Sequence, residues 1–261
     1  MQSLSIAATG MLAQQLNVEV ISNNIANMNT TGYKRQRAEF QDLLYQDQRR
    51  VGSTSSAAGT VVPTGIQLGI GVKAVATYAI STQGAVTKTD NQLDLAIRGE
   101  GYFQIEMPDG GLAYTRAGAF QIGPTGNIVN QDGYTVQPGV AIPADALSVT
   151  VNEQGQVFAK IDGQVTDTNL GQIQLATFQN NAGLANVGNN LLQETDASGA
   201  PTLGTPDSAG YGTLLQGFVE DSNVDPVKEI TNMITAQRAY ELNSKVIETS
   251  DQMMQTSNNV R

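Results

Sequence analysis

The 261-residue chain sets 24 Asp and Glu against 14 Lys and Arg, a formal net charge of −10, and contains no Cys, His or Trp. Without Cys and His, disulfides, thiolate sites, the common zinc cages and Ser–His or Cys–His nucleophilic machinery are excluded. The acidic balance argues against a nucleic-acid partner, since phosphate binding needs clustered Lys and Arg. No run approaches the roughly 18–20 continuous apolar residues of a membrane span.

The first predicted element is a helix over Ser3 to Met28, about 39 Å long at ~1.5 Å per residue. Leu4, Met11, Val18 and Ile25 recur every seven positions, with a second column through Ala7, Ile21 and Met28. That spacing is the pattern of helices lying along other helices. No basic segment followed by an apolar one opens the chain, so no ordinary secretory signal is expected. Asn27, Asn29, Thr30, Thr31 and Gly32 stop the helix, because Asn and Gly tolerate the left-handed conformation at helix ends. Asn23, Asn24 and Asn27 have two readings: local caps, or amide groups that bond across subunits. Tyr33 to Tyr45 fits a short helix or an extended segment. Its basic cluster, Lys34, Arg35 and Arg37, reads as a solvated or ion-paired face beside Glu39 and Asp42.

Residues 46–65 are small and polar, with Gly52 to Thr60 lowest in complexity; they read as a flexible linker or an extended arm that orders against neighbours. From Val61 to Ala176 short β runs alternate with turns at Gly110, Gly126, Gly133, Gly155 and Gly163. Turns every 8–12 residues predict an antiparallel sandwich or barrel. Residues 180–215 read as loops with one or two strands. Asp225-Pro226 opens a last helix, Asp being a favoured cap and Pro being tolerated at the first helical position. It runs to about Met254 with a stripe of Met233, Tyr240, Ile247 and Met254, flanked by Val246, Met253 and Val260.

Charge is unevenly placed. Residues 119–224 hold Lys160 alone against ten acidic residues, whereas the two ends are nearly balanced. A solvated middle and contact-ready ends follow. The apolar stripes at the two ends bury each other, or bury their copies in neighbouring subunits.

Catalytic chemistry finds little support. Gly65 to Gly71 superficially resembles a phosphate loop, but no Gly-Lys-Ser/Thr follows and the next residues read as strand. Asp90 and Asp94 lack the regular oxygen-ligand loop of a calcium site. The carboxylate pairs Glu100 with Glu106, or Asp94 with Glu153, are explained by a solvated acidic surface. Neither cofactor nor metal is expected.

Three stretches then converge. Ser22-Asn-Asn-Ile-Ala-Asn-Met-Asn-Thr-Thr-Gly-Tyr-Lys34 resembles the asparagine-rich motif that ends the first helix of bacterial flagellar rod and hook proteins. Arg98-Gly-Glu-Gly-Tyr-Phe103, continued by Ala113-Tyr-Thr-Arg-Ala-Gly-Ala-Phe120, resembles the start of their β domain. Ile234-Thr-Ala-Gln-Arg-Ala-Tyr-Glu-Leu-Asn-Ser-Lys245 resembles their closing helix. The arm at about 46–68 resembles an insertion that separates distal-rod from hook members.

The resemblance implies an α+β chain of three parts. Residues 1–32 with 224–261 form a coiled-coil-like inner tube, 33–70 a connecting segment with an extended arm, and 71–223 an antiparallel all-β outer domain. It implies a structural subunit exported unfolded through the flagellar export apparatus without a cleaved signal. The subunit would assemble as a helical homo-oligomer, spanning periplasm to outer membrane, and carry torque. Implied partners are proximal rod proteins, the hook protein and surrounding ring proteins, with no nucleic acid and no membrane insertion. The expected subunit contacts are Leu4, Met11, Val18, Ile21, Asn23, Asn24, Ile25, Asn27, Met28, Ile230, Met233, Ile234, Tyr240, Ile247 and Met254. Proximal rod and hook members are the near alternatives, and a carbohydrate-binding or hydrolytic β protein is the reading from another class.

Overall fold

A computed structural model describes residues 2–49, 64–164 and 166–259. The chain divides into two compact units, one of Met1–Ile25, Gln36–Tyr78 and Pro226–Arg261, the other of Ala26–Arg35 and Ala79–Asp225.

The first unit holds both long helices. Helix α1 spans Gln2–Ala26 and α2 spans Pro226–Asn259. α1 contains no Pro, and α2 starts at Pro226, whose fixed φ suits the first helical position. α1 ends two residues short of the sequence expectation, which leaves Met28 in a turn. The segment that periodicity left undecided is extended: strand β1, Gln36–Asp42, pairs with the strand Val72–Ala79.

The expected linker at 46–65 opens in strand over 46–49, and another strand follows it at Ile66. Tyr45–Arg49, β2, and Ile66–Gly69, β3, form an antiparallel ribbon with Tyr45 opposite Gly69 and Arg49 opposite Ile66. Ladder pairing satisfies the backbone of a polar segment, and composition carries no record of that. The strand Val72–Ala79 follows as β4. The low-complexity stretch Gly52 to Thr60 lies outside the described residues.

The second unit is a set of antiparallel pairings around a main core, with a smaller cluster of Tyr102, Tyr114, Ala176 and Phe178. The strand Tyr102–Glu106 is central: Leu112–Thr115 pairs along one edge, and Thr135–Val136 and Leu175–Thr177 share the other. A three-stranded sheet of Ala146–Val151, Gln156–Ile161 and Thr168–Gln172 accompanies it. Leu95–Arg98 pairs with Thr213–Gln216, and Val86–Lys88 with Phe218–Glu220. Leu95, Ile97, Phe103, Ile105, Phe120, Val157 and Leu214 fill the core. Phe103 meets Phe120 edge-on at 5.0 Å, a geometry favoured by the ring quadrupoles.

The turn chemistry holds at all five positions read from sequence: Gly110, Gly126, Gly133, Gly155 and Gly163 adopt φ between 77° and 84°. The Asn- and Gly-rich stretch after residue 180 is more ordered than its composition indicates. Ala185–Gly188, Leu191–Gln193 and Thr202–Gly204 are strands. Leu191, one of the few large apolar residues of that stretch, anchors them in the core.

Candidate functional site

In the first unit, α1 and α2 run antiparallel in a seam of small and polar residues. Ser3 Oγ lies 3.5 Å from Ser250 Oγ. A Cβ added at Gly10 would stand 2.9 Å from Asn243 Nδ2, so glycine lets the helices close. Asn24 Nδ2 donates to Glu229 Oε2 at 3.2 Å. The pairs advance by matching steps of seven on both helices, and the same step sets Asn17 opposite Ala236, which is buried. The intrachain seam on α2 is therefore Glu229, Ala236, Asn243 and Ser250, each seven residues apart, beside the apolar column expected from sequence.

That placement sorts the expected contact residues. Ile21 and Asn24 are buried inside the chain's own fold. Leu4, Met11, Val18, Ile25, Met233, Ile247 and Met254 are half-buried on the two helices, and Asn27 is half-buried in the turn after α1. Asn23, Met28, Ile230, Ile234 and Tyr240 are exposed. Asn24 shows what its amide does. Its Oδ1 accepts the Gln36 N–H and its Nδ2 donates to the Gln36 carbonyl, both at 2.8 Å, while also reaching Glu229. One side chain ties the end of α1, the start of β1 and the first turn of α2. The exposed large side chains Leu12, Val227, Ile230, Ile234, Leu242, Val246 and Met253 remain on the helices.

In the second unit the motifs meet at a carboxylate that the sequence reading did not single out. Glu220 has no solvent exposure. Its Oε2 accepts Arg116 Nε at 2.6 Å, and its Oε1 accepts Lys34 Nζ at 2.5 Å and the Gly84 N–H at 2.9 Å. The Glu220 carbonyl accepts the Gly32 N–H at 2.7 Å. Arg116 also donates to the carbonyls of Ile97, Gly99 and Gly101. Gly99 and Gly101 have φ of 112° and 135°, the region that glycine alone enters readily, and that bend wraps three carbonyls around one guanidinium. Gly118 is needed because a Cβ there would lie 1.7 Å from the Leu95 carbonyl oxygen. The motif residues Gly32, Lys34, Gly99, Gly101 and Arg116 thus meet in one network, while Gly118 makes room for the Leu95 backbone.

Burial alone would raise the Glu220 carboxyl, but the Arg116 charge and hydrogen bond, with Lys34 and Gly84, outweigh it and hold the group below the usual carboxylate range. Burial pushes the Lys34 ammonium down, partly offset by Glu220. The cluster is a satisfied structural network: the donors and acceptors are spent on one another, which leaves no proton poised for chemistry. Of the basic cluster read as a solvated or ion-paired face beside Glu39 and Asp42, Lys34 is ion-paired, with the buried Glu220 carboxylate 186 residues away. Asp94 is likewise satisfied locally by Thr89 and Asn91. Among the described residues no group of three or more Asp or Glu could hold a metal ion, and no described helix is long and apolar enough to cross a membrane.

Family comparisons match the same three regions. Residues 4–34 match the family "Flagella basal body rod protein", 96–159 "Flagellar hook protein FlgE/F/G D1 domain", and 215–260 "Flagellar basal body rod FlgEFG protein C-terminal". The chain belongs to the flagellar rod and hook protein family, whose members are structural proteins and not enzymes. It is similar to a protein named flagellar basal-body rod protein FlgG from Caulobacter vibrioides, 59% identical over 261 residues and all of both chains. The FlgG proteins of Agrobacterium fabrum, at 55% over 97% of both chains, and of Borreliella burgdorferi, at 46% over 100% of this chain and 99% of the relative, are also similar.

Proposed function

We propose that the chain is the structural subunit of the distal flagellar rod, a stiff helical tube that carries motor torque from the basal body to the hook. The observation that carries this reading is the 59% identity to a FlgG protein along the whole of both chains. The physical complement is a pair of long helices with large apolar side chains left in water. Each such residue contributes roughly 1.5–3 kcal/mol when fully covered, and repetition in every subunit makes the tube stiff without covalent links.

In this reading residues 1–32 and 224–261 line the inside of the tube as a coiled-coil-like layer. Residues 33–70 connect the layers and carry the arm, and 71–223 face outward. Asn23, Met28, Ile230, Ile234 and Tyr240 touch neighbouring subunits directly. Leu4, Met11, Val18, Ile25, Asn27, Met233, Ile247 and Met254 join them, while Ile21 and Asn24 hold the helices in shape from within. Proximal rod proteins lie below, the hook protein above, and ring proteins around. The subunit reaches the periplasm through the flagellar export apparatus without loss of a leader, and its tube extends to the outer membrane.

Expression of this chain in a Caulobacter vibrioides strain lacking its own FlgG tests the assignment. Restored hooks and swimming are expected. A strain that makes the chain, exports it and still lacks hooks contradicts it.

A further inference from the structure

Besides the column of Met233, Tyr240, Ile247 and Met254, helix α2 carries two further stripes of period seven, and only one of these two is covered by its own chain. The covered one, Glu229 to Ser250, faces α1. The other runs through Thr235, Leu242, Thr249 and Thr256, with Val246 and Met253 between them. Leu242 is 63% exposed, Val246 44% and Met253 64%. The threonines are apolar in effect. Thr235 donates its hydroxyl to the Thr231 carbonyl at 2.9 Å, Thr249 to Lys245 at 3.0 Å, and Thr256 to Gln252 at 2.9 Å. Each hydroxyl is spent on its own helix, as back-bonding to the preceding turn allows, and the methyl is left to pack. The stripe is about 31 Å long at ~1.5 Å per residue.

The same chain offers a matching surface on α1. Leu12 is 67% exposed, and Leu4, Met11 and Val18 are half-buried beside it. The only charged residue of α1 is Glu19, and it is exposed. The second stripe of α2 is bordered by exposed Arg238 and Lys245. The α1 of one copy is already engaged with the first stripe of its own α2, so the occupant of the second stripe comes from elsewhere.

We propose that the stripe Thr235–Thr256 is the docking seam for the Leu12–Glu19 edge of α1 from a second copy of this chain. The inference rests on the self-assembly reading and gives that assembly its contact. Leu242, Val246 and Met253 take the neighbour's Leu12 and Met11, and Glu19 pairs with Arg238 or Lys245. The contact joins two different surfaces, so it does not close on itself, and repetition extends a polymer.

The absence of native Cys permits a clean test. Full-length chain carrying Leu12→Cys is mixed with full-length chain carrying Val246→Cys, concentrated to the range where wild-type chain sediments as polymer, and oxidised. Mixed disulfide dimers are expected at least tenfold above either homodimer. Glu19→Lys should abolish them at equal concentration, and Arg238→Glu with Lys245→Glu in the partner should restore them. Polymer without mixed dimers, or dimers indifferent to Glu19→Lys, overturns the seam and leaves self-assembly standing. A wild-type chain that stays monomeric at every concentration, seeded or not, overturns both.

Discussion

Asn24 and Glu229, 205 positions apart in the chain, share a buried hydrogen bond of 3.2 Å, and the same Asn24 amide holds Gln36 by both backbone groups. The asparagine-rich end of α1 is therefore an internal fastening as well as a helix stop. The two termini are registered against each other before any neighbour arrives.

Asn24→Ala removes one hydrogen bond from the buried Glu229 side chain and one each from the Gln36 N–H and carbonyl, and is expected to cost about 2–3 kcal/mol. Denaturant unfolding of the full chain reads the loss, and hydrogen exchange should accelerate at the Gln36 amide. Ser22→Ala, at an exposed position of the same helix, should stay within about 0.5 kcal/mol. Equal effects at the two positions would remove the special role of Asn24.

Glu220→Gln leaves Lys34 and Arg116 buried without their counter-charge, at a cost of about 3–5 kcal/mol. The Glu220 carboxyl is lowered in the folded chain, so its contribution is fully present above the unfolded carboxylate range and fades as pH falls through the folded value. Acid melts should show the wild-type chain losing stability in that acidic window and Glu220→Gln with a flatter profile. Parallel profiles would refute the assignment.

Two glycine substitutions separate steric from conformational demand. Gly118→Ala forces a Cβ into the Leu95 carbonyl and should unfold the second unit or cost more than about 3 kcal/mol. At Gly110, φ is 78° and nothing lies within 4 Å of the added Cβ, so alanine there should cost about 1 kcal/mol. Thermal melting of the two variants tests the ranking.

Much of this was legible in the sequence because it is local. Asp109-Gly110 and Asp132-Gly133 declare turns by φ preference, and Asp225-Pro226 declares a helix start. What composition could not show is pairing between distant segments. Residues 46–49 looked like linker because their strand character comes from Ile66–Gly69 across the ladder. The partner of Lys34 was missed because Glu220 sits far along the chain within an otherwise acidic stretch, and no spacing rule links them. The heptad columns marked two segments that are indeed helices, α1 and α2. Which column the chain uses internally was hidden, because the intrachain seam is made of Ser, Gly, Asn, Ala and Glu rather than of large apolar residues.

Closure of that seam depends on Gly10. Gly10→Val should push α1 away from Asn243 and weaken the first unit while leaving the second unit's melting unchanged. Gly10→Ala combined with Asn243→Ala removes the close contact and adds helix propensity of about 1 kcal/mol, so that double variant should match or exceed wild type. Exchange protection along α1 reads both. Loss of protection in the double variant equal to that in Gly10→Val would show that the side-chain clash is not what governs the seam.

The central claim is that apolar stripes left in water on the terminal helices are covered by neighbouring copies. A cryo-EM map of polymers grown from the purified chain on isolated rod tips tests it most directly. The predicted result is a helical tube in which Leu242, Val246 and Met253 are buried against a helix of another copy. A tube held through residues 79–225 alone, with those side chains facing solvent, would contradict it.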